Sequence, residues 1–262
     1  MPDYQVISLE RHQDKYWHQP TNFLFCRTDA VAGLAAREIP KAMMALPIAF
    51  VLKDGTYSPV ALLGLEAEKN LFVAKDGRWL SSYIPAVYRA YPFALANKNT
   101  EEQVLCIDEA SGLITADPGG RPFFDNENKP AANLLDMLKF TQGLESNRLH
   151  TVQCCAILQR HNLIEPWPIH IELQNGDAPQ KIEGLYRISE STLNALPAEE
   201  LKEVRDTGML VLAYGQLFSM QHVADFGALV QAHANAEKHL AQQAKPALGL
   251  MSESGTISFE NL

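Results

Sequence analysis

The segment Ile48-Ala-Phe-Val-Leu-Lys-Asp-Gly-Thr-Tyr-Ser-Pro-Val-Ala-Leu-Leu-Gly-Leu constrains the fold more than any other stretch of the chain. Two β-prone runs, Ile48 to Lys53 and Pro59 to Leu65, flank Asp54-Gly55, a dipeptide that accepts the positive φ angles of a tight hairpin turn. Strands joined by such a turn run antiparallel. Asn70 to Ala74 reads as a third strand and Asp76-Gly77 as a second turn, so Ala49 to Leu80 is predicted to form an antiparallel meander rather than a βαβ unit.

On the N-terminal side of the meander, Tyr4 to Leu9 alternates weakly as an edge strand would. Asp29 caps a predicted helix from Ala30 to Ala45, interrupted at Pro40. Beyond the meander, Ser82 to Tyr91 reads as a short helix ended by Pro92, and Phe93 to Ala96 and Gln103 to Ile107 read as strands. Asp117-Pro118-Gly119-Gly120 is a turn. Lys129 to His161 is rich in helix formers, with Leu134, Met137, Leu138, Leu144, Val152 and Cys155 on one side of a 3.6-residue repeat and Gly143 as a point of bending or division. Trp167 to Leu173 and Lys181 to Ile188 give strand signals around Asn175-Gly176. Glu190 to Ala195, Ala198 to Asp206 and Met209 to about Gln243 are helical. In the last of these, Phe226, Leu229, Val230, His233, Ala236 and Leu240 keep helical spacing and should pack on their own domain.

The expected fold class is therefore α+β: an antiparallel β-meander and hairpins forming a sheet packed against several helices, with a helical C-terminal part. Residues 1–244 are expected to form one domain and 245–262 a flexible tail, in which Thr256 to Phe259 could dock as a strand.

Composition excludes some functions. A net charge of -9 opposes sequence-independent binding to nucleic acid or to anionic lipid. The most apolar segment, Met209 to Tyr214, is far shorter than the roughly 20 residues of a membrane helix, and the start, Met1-Pro-Asp-Tyr-Gln, lacks the features of a secretory signal. The four cysteines, Cys26, Cys106, Cys154 and Cys155, show no CxxC spacing and read as reduced, buried thiols, which fits a cytoplasmic protein.

No GxSxG, Walker A, dinucleotide or HExxH motif occurs, so no cofactor is expected and catalytic residues stay unknown. His150, Cys154 and His161 share one side of a helix at spacings of four and seven, but that side lies opposite the apolar stripe and no fourth ligand is visible; no metal site is assigned. His12, His18 and His170 read as surface or structural histidines, and His233 as a hydrogen-bonded core histidine. Two Arg and four Trp or Tyr residues crowd the segment from Asp76 to Phe93. Ile84, Tyr88 and Tyr91 are expected to be its core face, which leaves Arg78, Trp79 and Arg89 as candidate anchors for a ligand or partner.

At this segment the chain resembles the SapC family of bacterial proteins. The stretches that carry the resemblance are Leu46-Pro-Ile-Ala-Phe-Val, Val60-Ala-Leu-Leu-Gly-Leu, Asn70-Leu-Phe-Val, Asp76-Gly-Arg-Trp-Leu and Tyr83-Ile-Pro-Ala-Val-Tyr-Arg-Ala-Tyr-Pro-Phe-Ala-Leu. Leu163-Ile-Glu-Pro-Trp, Gly184-Leu-Tyr-Arg-Ile and Leu212-Ala-Tyr-Gly-Gln-Leu-Phe-Ser-Met-Gln follow in order. The family has no established catalytic residues. The resemblance implies an accessory protein working beside an oxidative, flavoprotein halogenase-like enzyme, or handling that enzyme's substrate or product.

The leading expectation is thus a cytoplasmic ligand-binding or accessory module, its unknown small molecule or protein partner held by Arg78, Trp79 and Arg89, with Tyr214 and Gln216 from the last resembling stretch. A small-molecule enzyme with an unrecognised acid-base or metal site, and a surface-layer associated protein, are the alternatives.

Overall fold

The computed structural model describes residues 2–97, 103–171 and 180–244. The chain opens with β1 (Tyr4–Val6), α1 (Leu9–His12), β2 (Tyr16–Trp17), β3 (Val31–Gly33) and α2 (Ile39–Ala42). The hairpin β4 (Ile48–Lys53) and β5 (Thr56–Leu62) follows, then α3 (Ala86–Ala90), β6 (Phe93–Asn97) and β7 (Gln103–Asp108). Two short strands, β8 (Ile114–Thr115) and β9 (Arg121–Pro122), precede the long helix α4 (Ala132–Arg160). After it come β10 (Ile164–Pro166), β11 (Ile169–Ile171), β12 (Gln180–Ile182) and β13 (Leu185–Ile188). Four helices close the described chain: α5 (Glu190–Asn194), α6 (Ala198–Asp206), α7 (Met209–Ser219) and α8 (Asp225–Ala244). The structure is α+β, with antiparallel sheets and a helical C-terminal part.

Two hydrophobic cores result. The larger is built on the five-stranded sheet β10-β13-β4-β5-β3, where Ile48, Phe50, Ala61 and Leu63 meet Ile39, Leu158, Val204, Leu212 and Phe226 from the helices. The smaller packs Trp17, Phe93, Leu105, Ile107, Phe123 and Leu134 beside the sheet β1-β7-β6 and the short sheet β8-β2-β9. Helix α4 serves both: Leu134 near its start belongs to the smaller core, and Cys154, Cys155 and Leu158 belong to the larger. Gly143 neither divides nor ends it. Among the described residues no helix is long and apolar enough to cross a membrane.

The hairpin forms as expected, with Asp54 and Gly55 both at positive φ (50° and 76°). The rest of the meander does not. The strand on the far side of β5 is β3, from within the segment expected to be a helix over Ala30 to Ala45, whereas Asn70 to Ala74 contributes only an isolated bridge between Val73 and Trp79. Pairing with β5 overrides the weak local helix preference of Val31-Ala-Gly, and helix forms only after Ala35, with Pro40 in the first turn of α2 where its missing N–H costs nothing. β3 ends where it does because Leu34 donates its N–H to the Pro59 carbonyl (3.0 Å) and Pro59 has no N–H to return.

Other boundaries shift for similar reasons. The helix expected over Ser82 to Tyr91 shrinks to α3 behind Pro85, Gly184 at φ 79° splits Lys181 to Ile188 into β12 and β13, and a 3₁₀ turn at Met220–Ala224 separates α7 from α8. Asn175-Gly176 and the segment 245–262 lie outside the described residues.

His12 sits fully buried against Phe123 (ring centroids 4.9 Å apart), its Nε2 3.3 Å from a Glu109 oxygen but without the alignment of a hydrogen bond. Burial lowers its pKa below the ordinary 6.5. The folded state thus binds its proton less readily than the unfolded chain, so stability is fully present above pH 6.5 and is lost as pH falls below it. Urea midpoints should fall between pH 7.5 and 5.5, and His12→Gln should remove most of that dependence. A midpoint slope that the variant leaves unchanged would assign the effect elsewhere.

Candidate functional site

Between the two cores lies a cleft of about 490 Å³. One wall is the end of β3 and its continuation, Gly33, Leu34 and Ala35, backed by Ser58 and Pro59 of β5. The opposite wall is Val87 and Ala90 of α3 with Phe93, Ala94 and Leu95 of β6, and α4 closes the back with Thr141, Leu144, Thr151 and Val152. The lining is mostly apolar, and sites at such junctions are where small ligands commonly bind.

Its charged groups are all engaged within the protein. Glu38, 7% exposed, accepts from the Ala35 N–H through Oε2 (2.9 Å) and from the Tyr83 hydroxyl and the Ala86 N–H through Oε1 (2.8 and 2.7 Å). It ties the β3 wall to the α3 wall. Burial, and then the hydrogen bond to Glu38, push the Tyr83 phenol well above its ordinary range. On the rim, Arg148 holds Glu145 through Nε and an Nη (2.7 and 2.8 Å), one turn apart on α4, and that bond draws the Glu145 carboxyl below its usual value. The two threonine hydroxyls on α4 are used as well: Thr141 donates to the Met137 and Leu138 carbonyls, and Thr151 donates to the Asn147 carbonyl and accepts from the Ala36 N–H.

The five residues read from the sequence as ligand or partner contacts occupy separate places. Arg89 stands on α3 between the cleft residues Val87 and Ala90 but does not itself line the cleft; its guanidinium is 5.9 Å from the Tyr83 ring and 5.5 Å from Phe140, with Nε donating to the Ile84 carbonyl. Trp79 is half-buried among Phe23, Phe72 and Tyr88 and donates its indole N–H to the Tyr83 carbonyl (2.8 Å). Arg78 projects into solvent and pairs with Asp76. Tyr214 stacks on exposed Phe218 beside a smaller hollow that includes Glu165 and Arg187. Gln216 is fully buried, accepting from the Ile188 N–H (2.8 Å) and donating to the Ile48 carbonyl (3.1 Å).

The helical set also separates. Cys154 is in the larger core, His150 is exposed, and His161 lies between Glu200 and Glu203 at 2.9 and 3.0 Å. Cys154 is a buried thiol, as read from the sequence, even though it lies opposite the apolar stripe: the end of α4 is covered on more than one side by the larger core. Among the described residues no group of three or more His, Cys, Asp or Glu side chains could hold a metal ion. All four thiols are free and buried, and burial pushes Cys26 and Cys155 up to about 12, so both stay protonated and unreactive at neutral pH. His233 donates through Nε2 to the Leu71 carbonyl (2.9 Å), a hydrogen-bonded structural histidine.

Glu38, Glu145 and Arg148 were missed in the sequence, although the Glu-x-x-Arg spacing of the last two is a helical ion-pair signal. The longest resembling stretch, from Tyr83 to Leu95, runs along one wall of the cleft. No curated protein and no solved structure matches the chain. The SapC family model matches it from residue 7 to residue 226, and the chain belongs to the SapC family.

Proposed function

We propose that this protein is a binding module, holding an elongated and largely apolar ligand in the cleft between its two cores. The observation that carries the reading is the chemistry of the lining: a mostly apolar surface whose charged groups, and the Thr141 and Thr151 hydroxyls, are already hydrogen-bonded within the protein. Such a surface offers a ligand contact area rather than a base, acid or nucleophile. Arg89, over Tyr83 and one hydrogen bond removed from Glu38, is the expected anchor that fits this site best. A cytoplasmic accessory role beside a flavoprotein halogenase-like enzyme belongs to the same reading, with the cleft holding that enzyme's substrate or product.

The test fills the cleft. The dye 1-anilinonaphthalene-8-sulfonate should bind the folded protein with enhanced fluorescence, and Ala94→Trp, which adds a ring at the β6 wall, should weaken that binding at least tenfold while shifting the melting temperature little. Equal dye affinity in protein and variant would remove the cleft from consideration.

A further inference from the structure

Every strand residue carries an N–H and a C=O that need partners, and in an antiparallel pair alternate residues direct both groups away from the neighbouring strand. Among the described residues β3 is the last strand of its sheet. The Leu34 N–H to Pro59 bond (3.0 Å) fixes the phase of its pairing, so that Ala32 faces β5 and Val31 and Gly33 turn their main-chain groups to the open side. β6 is likewise the last strand of the smaller core's sheet. There the Asp108 N–H to Pro92 carbonyl bond (2.9 Å) sets the phase: Ala94 and Ala96 face β7, and Phe93 and Leu95 turn outward. Among the described residues, the outward groups of Gly33 and Leu95 meet no main-chain partner.

Both residues line the one cleft. Two open sheet edges therefore border the same apolar space, and an open edge is a template for a further strand. A small apolar molecule would leave these donors and acceptors to water, whereas an extended main chain would satisfy them. The side chains such a chain brings in meet no unspent charge, because Glu38 has three donors and Glu145 has Arg148. A charged residue buried there would be unpaired, at considerable cost.

We infer that the ligand of the cleft is an extended, uncharged peptide segment of a partner protein, inserted as a strand between the open edges of β3 and β6 and exchanging main-chain hydrogen bonds with Gly33 and Leu95. This rests on the proposed reading of the cleft as a binding site. Recognition by strand addition draws affinity from the backbone and selectivity from alternate side chains.

The probe is a panel of capped pentapeptides that alternate Val or Ile with Thr or Ser, added at millimolar concentration to the full chain. Amide hydrogen exchange at Gly33 and at Leu95 should each slow at least tenfold with the binding members of the panel. Gly33→Pro, which deletes an N–H that β5 does not use, should weaken those peptides at least tenfold, as the pairing phase of β3 requires. Gly33→Ala keeps the N–H, and its methyl group would meet nothing within 4 Å, so it should bind as the unaltered protein does. Unchanged exchange at either amide with every peptide overturns the inference, and that measurement does not depend on any variant folding. Peptides that displace the dye yet protect neither amide sink only the strand geometry. Dye binding that survives Ala94→Trp sinks the cleft itself.

Discussion

Gln216→Leu lowers the unfolding free energy by about 4 kcal/mol, because it orphans two buried backbone groups at about 1–3 kcal/mol each. The reason lies in the register of the larger sheet. β13 and β4 pair at Leu185 with Val51 and at Tyr186 with Phe50, and continuing that register would bring Ile188 opposite Ile48. Instead the Gln216 side chain stands between them, accepting from the Ile188 N–H and donating to the Ile48 carbonyl. The neighbouring Ser219 hydroxyl accepts from the Ile48 N–H (2.9 Å) and donates to the Gln216 carbonyl (2.7 Å). One side-chain amide thus substitutes for a rung of the ladder and pins α7 to the sheet. At about 2–4 °C per kcal/mol for a chain of this size, the melting temperature should drop by about 10 °C. Gln216→Glu sharpens the test. Only its protonated form can both donate and accept, so its folded pKa is raised, and the variant's stability should be greatest in acid and fall as pH climbs above about 4.3. A leucine variant that melts within 2 °C of the unaltered protein would show that the two strands close up without the amide.

The second large effect is at Glu38. Glu38→Ala leaves the Ala35 N–H, the Ala86 N–H and the Tyr83 hydroxyl without their acceptor, and at about 1–3 kcal/mol for each buried donor left unsatisfied the two N–H groups alone cost about 4 kcal/mol. Because the carboxylate ties β3 to α3, the dye affinity of the cleft should fall with the stability. Glu38→Gln keeps the oxygen that serves Tyr83 and Ala86 but sets an amide N–H against the Ala35 N–H, so its loss should lie between the alanine variant and none. Urea unfolding gives the order directly. A glutamine variant as unstable as the alanine one would mean that the Ala35 contact alone carries the network.

The β4–β5 hairpin was legible because its turn residues dictate their own backbone angles, and α4 because the Leu, Ala, Met, Lys, Arg, Glu and Gln residues along its length outvote one glycine. β3 was not, since three residues become a strand only when β5 offers its edge. The crowding of aromatic residues from Asp76 to Phe93 was visible, but its density reflects rings packed around Trp79 as much as any surface. Gln216 was marked by a resembling stretch, yet its neighbour Gly215 shows how far such stretches record packing: a Cβ there would fall 2.3 Å from Ile39 of α2. Gly64, in another, would place a Cβ 1.8 Å from the Lys69 carbonyl oxygen. The cleft had no local signal, because its walls come from chain segments near positions 33, 59, 87, 94 and 148 that only the finished fold assembles.

At 1.5 Å per residue the 29 residues of α4 run about 43 Å, with one end seated in each core. A helix stripped of its packing is only marginally stable in water, so the melting of either core would fray the half of α4 that it supports and loosen the other. The two cores should therefore share one fate on heating, unfolding in a single transition. Separate melting of the smaller core, reported by Trp17, would require this shaft to break in the middle.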